Sequence, residues 1–216
     1  MSPEDIRALL IPPHGVFGMG AIVAGIVALS VTKGPGAHPW AGRTFMVMMV
    51  GALVLAAPVA ISSTNLFLIG VLFLVAYHMA VAWRLARVQP PRRPLTTLDR
   101  NIHLGFGLVF VTFGAYGVVS LARGASMGIV AVVLAGISLF SVRGFHRFTQ
   151  RDDLEEGEWV QHHVRGVAAS FIASLTAFLT VIGPRYFPQV PGVVLWLAPT
   201  ALFTPVFSRL SAPPDA

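Results

Sequence analysis

The sequence predicts an all-α fold, a polytopic bundle of about seven transmembrane helices with the N-terminus outside and the C-terminus inside the cell. Three observations lead to this prediction. Hydrophobic residues make up 55% of the 216 residues and charged residues only 11%, whereas a soluble domain has about 25% charged residues. Apolar runs long enough to cross a bilayer recur along the chain. Most basic residues lie between those runs, on one predicted side of the membrane.

Seven apolar runs have the length of a spanning helix, which needs about 20 residues at a rise of ~1.5 Å each. They are residues 15–31, 44–61, 66–85, 102–121, 125–142, 164–182 and 192–207. The fifth run is short but carries no charge. Pro199 and Pro205 predict that the seventh is kinked or partly re-entrant. We therefore expect residues 1–216 to form a single transmembrane domain.

The lysines and arginines predict the orientation. Three of them fall on one set of termini and loops: Arg7, Arg123 and Arg185. Twelve fall on the other set: Lys33, Arg43, Arg84, Arg87, Arg92, Arg93, Arg100, Arg143, Arg147, Arg151, Arg165 and Arg209. Because cytoplasmic loops carry the excess of positive charge, the twelve are predicted to be cytoplasmic. This orientation requires an odd number of spans, and the predicted location is a bacterial inner (plasma) membrane.

Composition argues against several classes of function. The chain has no cysteine, which excludes disulfides, iron–sulfur clusters and cysteine nucleophiles. No predicted span contains Asp, Glu or Lys, whereas ion-coupled pumps usually keep such a residue within the membrane. The net charge of +6 reflects membrane topology, and no nucleic-acid-binding module is present. The predicted partner is therefore the lipid bilayer and not a nucleic acid.

Small residues recur at helical spacing in the first and sixth spans. The two rows are Gly15, Gly18, Gly20 and Gly25, and then Gly166, Ser170 and Ser174. Such rows allow helices to approach each other closely in lipid. We expect both rows to face the interior of the bundle, and a homodimer interface is the alternative.

Histidines are the main candidates for binding a cofactor or metal. His78 lies ~12 Å inside its span, and four others lie at the predicted cytoplasmic ends of the second, fourth and sixth spans. The candidate haem ligands are His38, His78, His103 and His163, and the candidate metal ligands are His103, His162 and His163. The alternative is that these histidines cap helices or bond to neighbouring helices. Of the adjacent pair His162 and His163, we expect only one to face inward, because adjacent side chains diverge on a helix.

Charged residues at the predicted cytoplasmic helix ends have a simple role. Arg43, Arg84, Arg100 and Arg165 are expected to extend to the lipid headgroups. Asp99 is expected to pair with one of these four arginines.

Several short motifs resemble those of a known family. They are His14-Gly15, Lys33-Gly34, residues 38–43, Tyr77-His78 followed by Ala82-Trp83-Arg84, Leu98-Asp99, and His163 ahead of residues 170–178. Their order and spacing resemble an uncharacterised family of bacterial integral membrane proteins. The resemblance extends over residues 15–182 and implies a shared architecture. The matching positions are His14, His38, Gly42, Arg43, Arg84, Asp99 and His163.

The distribution of histidines over several helices is also similar to the cytochrome b561 class, which holds two haems between its helices. That class needs paired histidines at two depths, and here only His14 lies on the outer side. The similarity therefore implies one haem near the cytoplasmic side.

Three functions remain open. The favoured one is a non-enzymatic membrane component that binds, transports or assembles a small molecule. The second is a haem-binding redox protein with histidine ligands near the cytoplasmic side. The third is a metal-dependent enzyme at the cytoplasmic rim of the membrane.

Overall fold

The computed structural model describes residues 2–87, 96–151 and 156–210. These ranges contain seven α-helices and no strand: α1 Pro3–Ser30, α2 Ala37–Ser63, α3 Leu66–Arg87, α4 Thr97–Ala122, α5 Gly128–Thr149, α6 Glu156–Tyr186 and α7 Gly192–Leu210. Each helix is long and apolar enough to cross a membrane. The predicted all-α, seven-helix transmembrane class is confirmed.

Several helices begin well before their apolar runs, because capping residues determine where a helix starts. At the start of α1, the Ser2 hydroxyl accepts a hydrogen bond from the Asp5 N–H, and the Asp5 carboxylate accepts one from the Ser2 N–H. The same reciprocal arrangement joins Thr96 and Asp99 at the start of α4. Hydropathy detects only the apolar part of each helix, so it misses these polar first turns.

The chain forms two compact units, Met1–Leu72 and Phe73–Ala216. The first unit contains α1, α2 and the start of α3. The second contains the rest of α3 together with α4 to α7. Three consecutive pairs pack as helical hairpins: α1 with α2, α4 with α5, and α6 with α7. The expectation of a single domain over residues 1–216 stays a prediction.

Polar side chains tie the α1–α2 hairpin together. Nδ1 of His14 donates to the Ala52 carbonyl at 2.9 Å, and Nδ1 of His38 donates to the Ala28 carbonyl at 3.0 Å. The Lys33 ammonium donates to three carbonyls at the end of α1, at 2.8 to 3.2 Å. A cation at this position interacts favourably with the helix dipole. Partial burial lowers the pKa of Lys33 below its usual value.

The two rows of small residues differ in their packing. In α6, a Cβ atom on Gly166 would lie 3.3 Å from Cβ of Ala82 in α3, and Ser170 is fully buried. In α1, Gly25 is buried, whereas a Cβ atom on Gly15 would meet nothing within 4 Å. The interior-face prediction is therefore confirmed for the row in the sixth span and only in part for the row in the first.

α4 and α5 approach each other closely where two glycines meet. A Cβ atom on Gly117 would lie 2.8 Å from the Gly128 carbonyl oxygen and 2.9 Å from Cβ of Ala131. A Cβ atom on Gly128 would lie 2.5 Å from the Gly117 carbonyl oxygen. No side chain fits at either position without moving a helix, so this contact sets the distance between α4 and α5.

We expect Gly117→Ala to lower the melting temperature of the detergent-solubilised protein, because the added methyl group must push α5 away. Overpacking of this kind costs about 1–3 kcal/mol of unfolding free energy. Gly105→Ala is the matched control, since it lies in the same helix and its Cβ would meet nothing within 4 Å. That control should be neutral or stabilising by up to about 1 kcal/mol, since alanine favours helix. Equal melting temperatures for the two variants would contradict the close contact.

Candidate functional site

Polar side chains from three helices meet at one end of the second unit. α3 contributes two of them, the first turns of α4 and its cap contribute three, and the end of α5 contributes one. We call these six side chains the polar cluster: Tyr77, Arg84, Thr96, Asp99, His103 and His146. Residues seven apart in α3 and four apart in α4 share one face of a helix. The helical spacing therefore turns these side chains towards the same region.

A two-point ion pair joins α3 to the start of α4. Nε of Arg84 donates to Oδ1 of Asp99 at 2.7 Å, and Nη2 donates to Oδ2 at 2.9 Å. The side chains of Arg84 and Asp99 are only 16% and 8% exposed. Asp99 also accepts from the Thr96 N–H at 3.0 Å and from the Thr96 hydroxyl at 2.7 Å. The sequence left four arginines as candidate partners of Asp99, and the structure selects Arg84.

Next to the ion pair, three side chains lie side by side, one from each of the three helices: Tyr77 from α3, His103 from α4 and His146 from α5. Tyr77 is fully buried, and its hydroxyl lies 3.1 Å from Nδ1 of His103. The centre of the His103 ring is 5.8 Å from the centre of the His146 ring, with the ring planes at 69°. Two imidazoles from α4 and α5 are therefore neighbours, and a phenol from α3 contacts the first.

His146 carries a polar atom that the protein leaves unsatisfied. Its Nδ1 atom is buried and has no hydrogen-bond partner among the residues that the structure describes. Leaving a buried polar atom unpaired costs about 1–3 kcal/mol. Such atoms in native proteins usually have a water, an ion or a ligand as their partner. The polar cluster is therefore one of two places in the described part of the chain, with Nε1 of Trp159 the other, where a buried polar atom lacks a partner.

A small cavity adjoins the ion pair and His103. Half of its lining residues are polar and half are apolar: Arg84, Asp99, His103 and Thr149, then Val81, Leu85, Ile102 and Phe145. Its volume is about 20 Å³, which is enough for about one water molecule. Pockets for organic ligands measure about 300–1,000 Å³. In this packing the polar cluster accommodates a water-sized species.

His78, the histidine deepest within a predicted span, is 3% exposed and has a partner in its own helix. Its Nδ1 donates to the Leu74 carbonyl at 2.8 Å. Its ring also meets the edges of Tyr77 and Phe145, with ring centres 5.2 and 6.1 Å apart. These contacts account for one ring nitrogen of His78 and pack the ring in the aromatic core.

His162 and His163 both pack against neighbouring helices, so the expectation that only one faces inward is wrong. The His162 ring lies on Phe148 of α5, with ring centres 3.7 Å apart. Nδ1 of His163 donates to the Ala82 carbonyl of α3 at 3.3 Å. Adjacent side chains do diverge on a helix. Here, however, α6 has a different neighbour on each side.

The histidines predicted as haem or metal ligands lie in both units. Across residues 2–87, 96–151 and 156–210, no three His, Asp or Glu side chains group as metal ligands. His103, His162 and His163 contact different neighbours, and their assignment as metal ligands stays a prediction. His38 belongs to the first unit, where its Nδ1 is bonded to Ala28. The haem-ligand assignment of His38, His78, His103 and His163 likewise stays a prediction.

The motif positions divide between the two units. His14, His38, Gly42 and Arg43 lie in the first unit, and Arg43 is exposed there. Arg84, Asp99 and His163 lie in the second unit. Of these positions, only Arg84 and Asp99 belong to the polar cluster.

Three members of the polar cluster are not among the site residues that the sequence predicts: Tyr77, Thr96 and His146. His146 lies between Arg143 and Arg147 near the predicted cytoplasmic end of the fifth span, so the criterion that selected His103 would also have selected it. In the sequence, Tyr77 stands out only as the neighbour of His78. Nothing in the sequence indicates that the Tyr77 hydroxyl meets His103, because that contact depends on how α3 packs against α4.

We expect Asp99→Ala to lower the unfolding free energy by about 2–4 kcal/mol. The substitution removes the Asp99 half of the capping box at the start of α4, worth about 1 kcal/mol, and leaves the partly buried Arg84 without its counter-ion. The matched control is Glu158→Ala, which removes an exposed ion pair with Arg151 at 2.7 Å and should cost at most about 1 kcal/mol. Denaturation in detergent measures both variants. Equal losses for the two would show that the Arg84–Asp99 pair is no stronger than a surface pair.

Comparisons with known proteins identify no relative. No family model matches the chain, and neither a curated protein nor a solved structure matches it. Function is therefore inferred from the side chains of the polar cluster.

Proposed function

We propose that this chain is a non-enzymatic component of the bacterial inner membrane that binds a water-sized polar ligand or ion at the polar cluster. Binding would serve the transport or assembly of that species. One observation carries the proposal: Nδ1 of His146 is buried without a described partner, beside a second imidazole. A bound species would satisfy that nitrogen.

The proposed orientation gives the site access to the cytoplasm. Arg84, Arg143 and Arg147 belong to the twelve basic residues that the positive-inside rule assigns to that side. All three lie at the same helix ends as the polar cluster. The proposed ligand would then enter from the cytoplasmic surface, with the N-terminus of the chain outside the cell.

The size and charge of the site favour a small ligand over an organic substrate. A volume of about 20 Å³ admits about one water molecule. The charges of Arg84 and Asp99 are already matched to each other at 2.7 Å, which leaves the imidazoles as the groups available to a ligand. Imidazoles bind protons and transition-metal ions.

Haem is the second candidate, because His103 and His146 come from neighbouring helices and lie side by side. A haem held by this pair would need its porphyrin ring between the two imidazoles. The cavity that adjoins His103 measures about 20 Å³, which is much smaller than a porphyrin, so the packing beside His103 does not fit the group. Haem binding would require other histidines or another packing. A metal-dependent enzyme at the cytoplasmic rim is the third candidate, and it would share the ion-binding step.

The proposal predicts that a small ligand raises the melting temperature of purified protein. A ligand at 100 times its Kd stabilises a protein by about 2.7 kcal/mol, which corresponds to roughly 5–10 °C for a chain of this size. The panel contains transition-metal salts, ammonium, small inorganic anions and haemin. The His103→Ala/His146→Ala double variant should lose the shift, and His14→Gln, which removes an imidazole of the first unit, should keep it.

Two results would contradict the proposal. One is a wild-type protein that no member of the panel stabilises. The other is an absorption spectrum of the freshly purified protein with a Soret band, since that band would establish the haem alternative. Metal analysis of the same sample shows whether an ion is already bound.

The orientation has a separate test. A reporter that is active only in the periplasm, fused after Ala216, should be inactive, because the C-terminus is proposed to be cytoplasmic. The same reporter fused within residues 123–127, between α4 and α5, should be active. Activity at Ala216 would overturn the proposed seven-span orientation.

A further inference from the structure

We infer that His103 and His146 together hold one divalent transition-metal ion of the zinc, copper or nickel class, with Tyr77 as a positioning residue. This inference rests on the proposed function of the polar cluster and names its ligand. The members of this class of ion share a preference for imidazole nitrogen.

The distance between the two rings fits a shared ion. A zinc ion lies about 2.0–2.1 Å from a bound imidazole nitrogen, which puts the centre of that ring about 3.2 Å from the metal. Two rings that bind the same ion therefore have centres no more than about 6.4 Å apart. The rings of His103 and His146 are 5.8 Å apart, and their planes are inclined at 69°. Small side-chain rotations would bring one nitrogen of each ring to the ion.

Each ring has a nitrogen to offer. Nδ1 of His146 is buried and unpaired within the described part of the chain. Nδ1 of His103 contacts the Tyr77 hydroxyl at 3.1 Å, so Nε2 is the nitrogen of His103 that would bind the ion. Histidine ligands in metal sites usually use one nitrogen for the metal and the other for a hydrogen bond that orients the ring. Tyr77 supplies that second contact here.

The surroundings allow a cation. Arg84 and Asp99 line the adjacent cavity and neutralise each other through two hydrogen bonds. Arg143 and Arg147, which flank His146 in α5, are exposed. Thr149 lines the same cavity and carries a hydroxyl oxygen. The cavity has room for about one water molecule, so water or Thr149 would complete the coordination. A site with two protein ligands keeps positions open, which suits an ion that is bound and passed on.

The other histidines of the second unit are poorer candidates because the protein already uses them. Nδ1 of His78 donates to the Leu74 carbonyl, and Nδ1 of His163 is bonded to the Ala82 carbonyl. The His162 ring lies against Phe148, with the ring planes tilted by 30°. In the His103–His146 pair, by contrast, one nitrogen has no partner in the described part of the chain, and a second imidazole lies beside it.

The test uses full-length protein purified without a histidine tag and titrated with Zn²⁺ or Cu²⁺ alone. We expect one ion per chain, and the electron paramagnetic resonance spectrum of the Cu²⁺ form should show two nitrogen ligands. His103→Gln and His146→Gln should each weaken binding at least 100-fold, and His14→Gln should not change it. Tyr77→Phe should weaken binding about 10-fold and should also lower the melting temperature of the metal-free protein, because Nδ1 of His103 loses its partner. A changed electron paramagnetic resonance spectrum of the Cu²⁺ form of this variant distinguishes positioning from a structural role.

Two outcomes would overturn the inference: wild-type protein that binds neither ion, or unchanged binding in the double variant His103→Gln/His146→Gln. The melting temperature of each metal-free variant confirms that it is folded. If no metal binds but another member of the ligand panel stabilises the wild type and not the double variant, the metal inference fails and the proposed function stands. If nothing in the panel stabilises the wild type, both fail.

Discussion

The ion pair between Arg84 and Asp99 is the interaction on which the second unit's polar end depends. It bonds the last turns of α3 to the first turn of α4 with two hydrogen bonds of 2.7 and 2.9 Å. Charge-assisted bonds of this two-point form are directional as well as strong, so they set the rotation of α4 about its axis. His103 lies one turn further along α4 on the same face. The contact between His103 and Tyr77 therefore depends on the ion pair.

An aromatic core next to these groups holds them in place. Tyr77 meets the rings of Phe106, Phe110 and Phe145 at centre distances of 5.5 to 6.2 Å, mostly edge to face, as aromatic pairs prefer. Between helices in lipid, packing of this kind replaces the hydrophobic effect as the source of stability. The core excludes water from one side of the polar cluster, which strengthens the electrostatic interactions inside it.

The parts of this structure that could be predicted are those encoded in local composition. Seven apolar runs predicted seven helices, because a membrane span needs a minimum length of apolar chain. The helix starts at Pro3 and Thr97 were missed, since capping depends on one or two polar residues outside the apolar run. The partner of Asp99 could be narrowed to four arginines but no further. Choosing Arg84 requires the rotation of α3, which hydropathy does not specify.

The candidate site was harder to predict than the fold, because it depends on which polar atoms are satisfied. The Asp99 carboxylate accepts four hydrogen bonds from Arg84 and Thr96, one at Oδ1 and three at Oδ2, so both of its oxygens have partners. Nδ1 of His146 has no partner in the described chain. Sequence shows that both residues are polar and close to helix ends, but it cannot distinguish a saturated group from an unsatisfied one.

That difference separates structural from functional roles within the polar cluster. A saturated buried group stabilises the fold, and a ligand could reach it only by breaking existing bonds. An unsatisfied buried group lowers the stability of the ligand-free protein. Native proteins tend to keep such unsatisfied groups where function requires them. By this reasoning Asp99 holds the helices in place. His146 is neither the deepest histidine nor part of a recognised motif, and it is the residue through which we propose that the polar cluster binds its ligand.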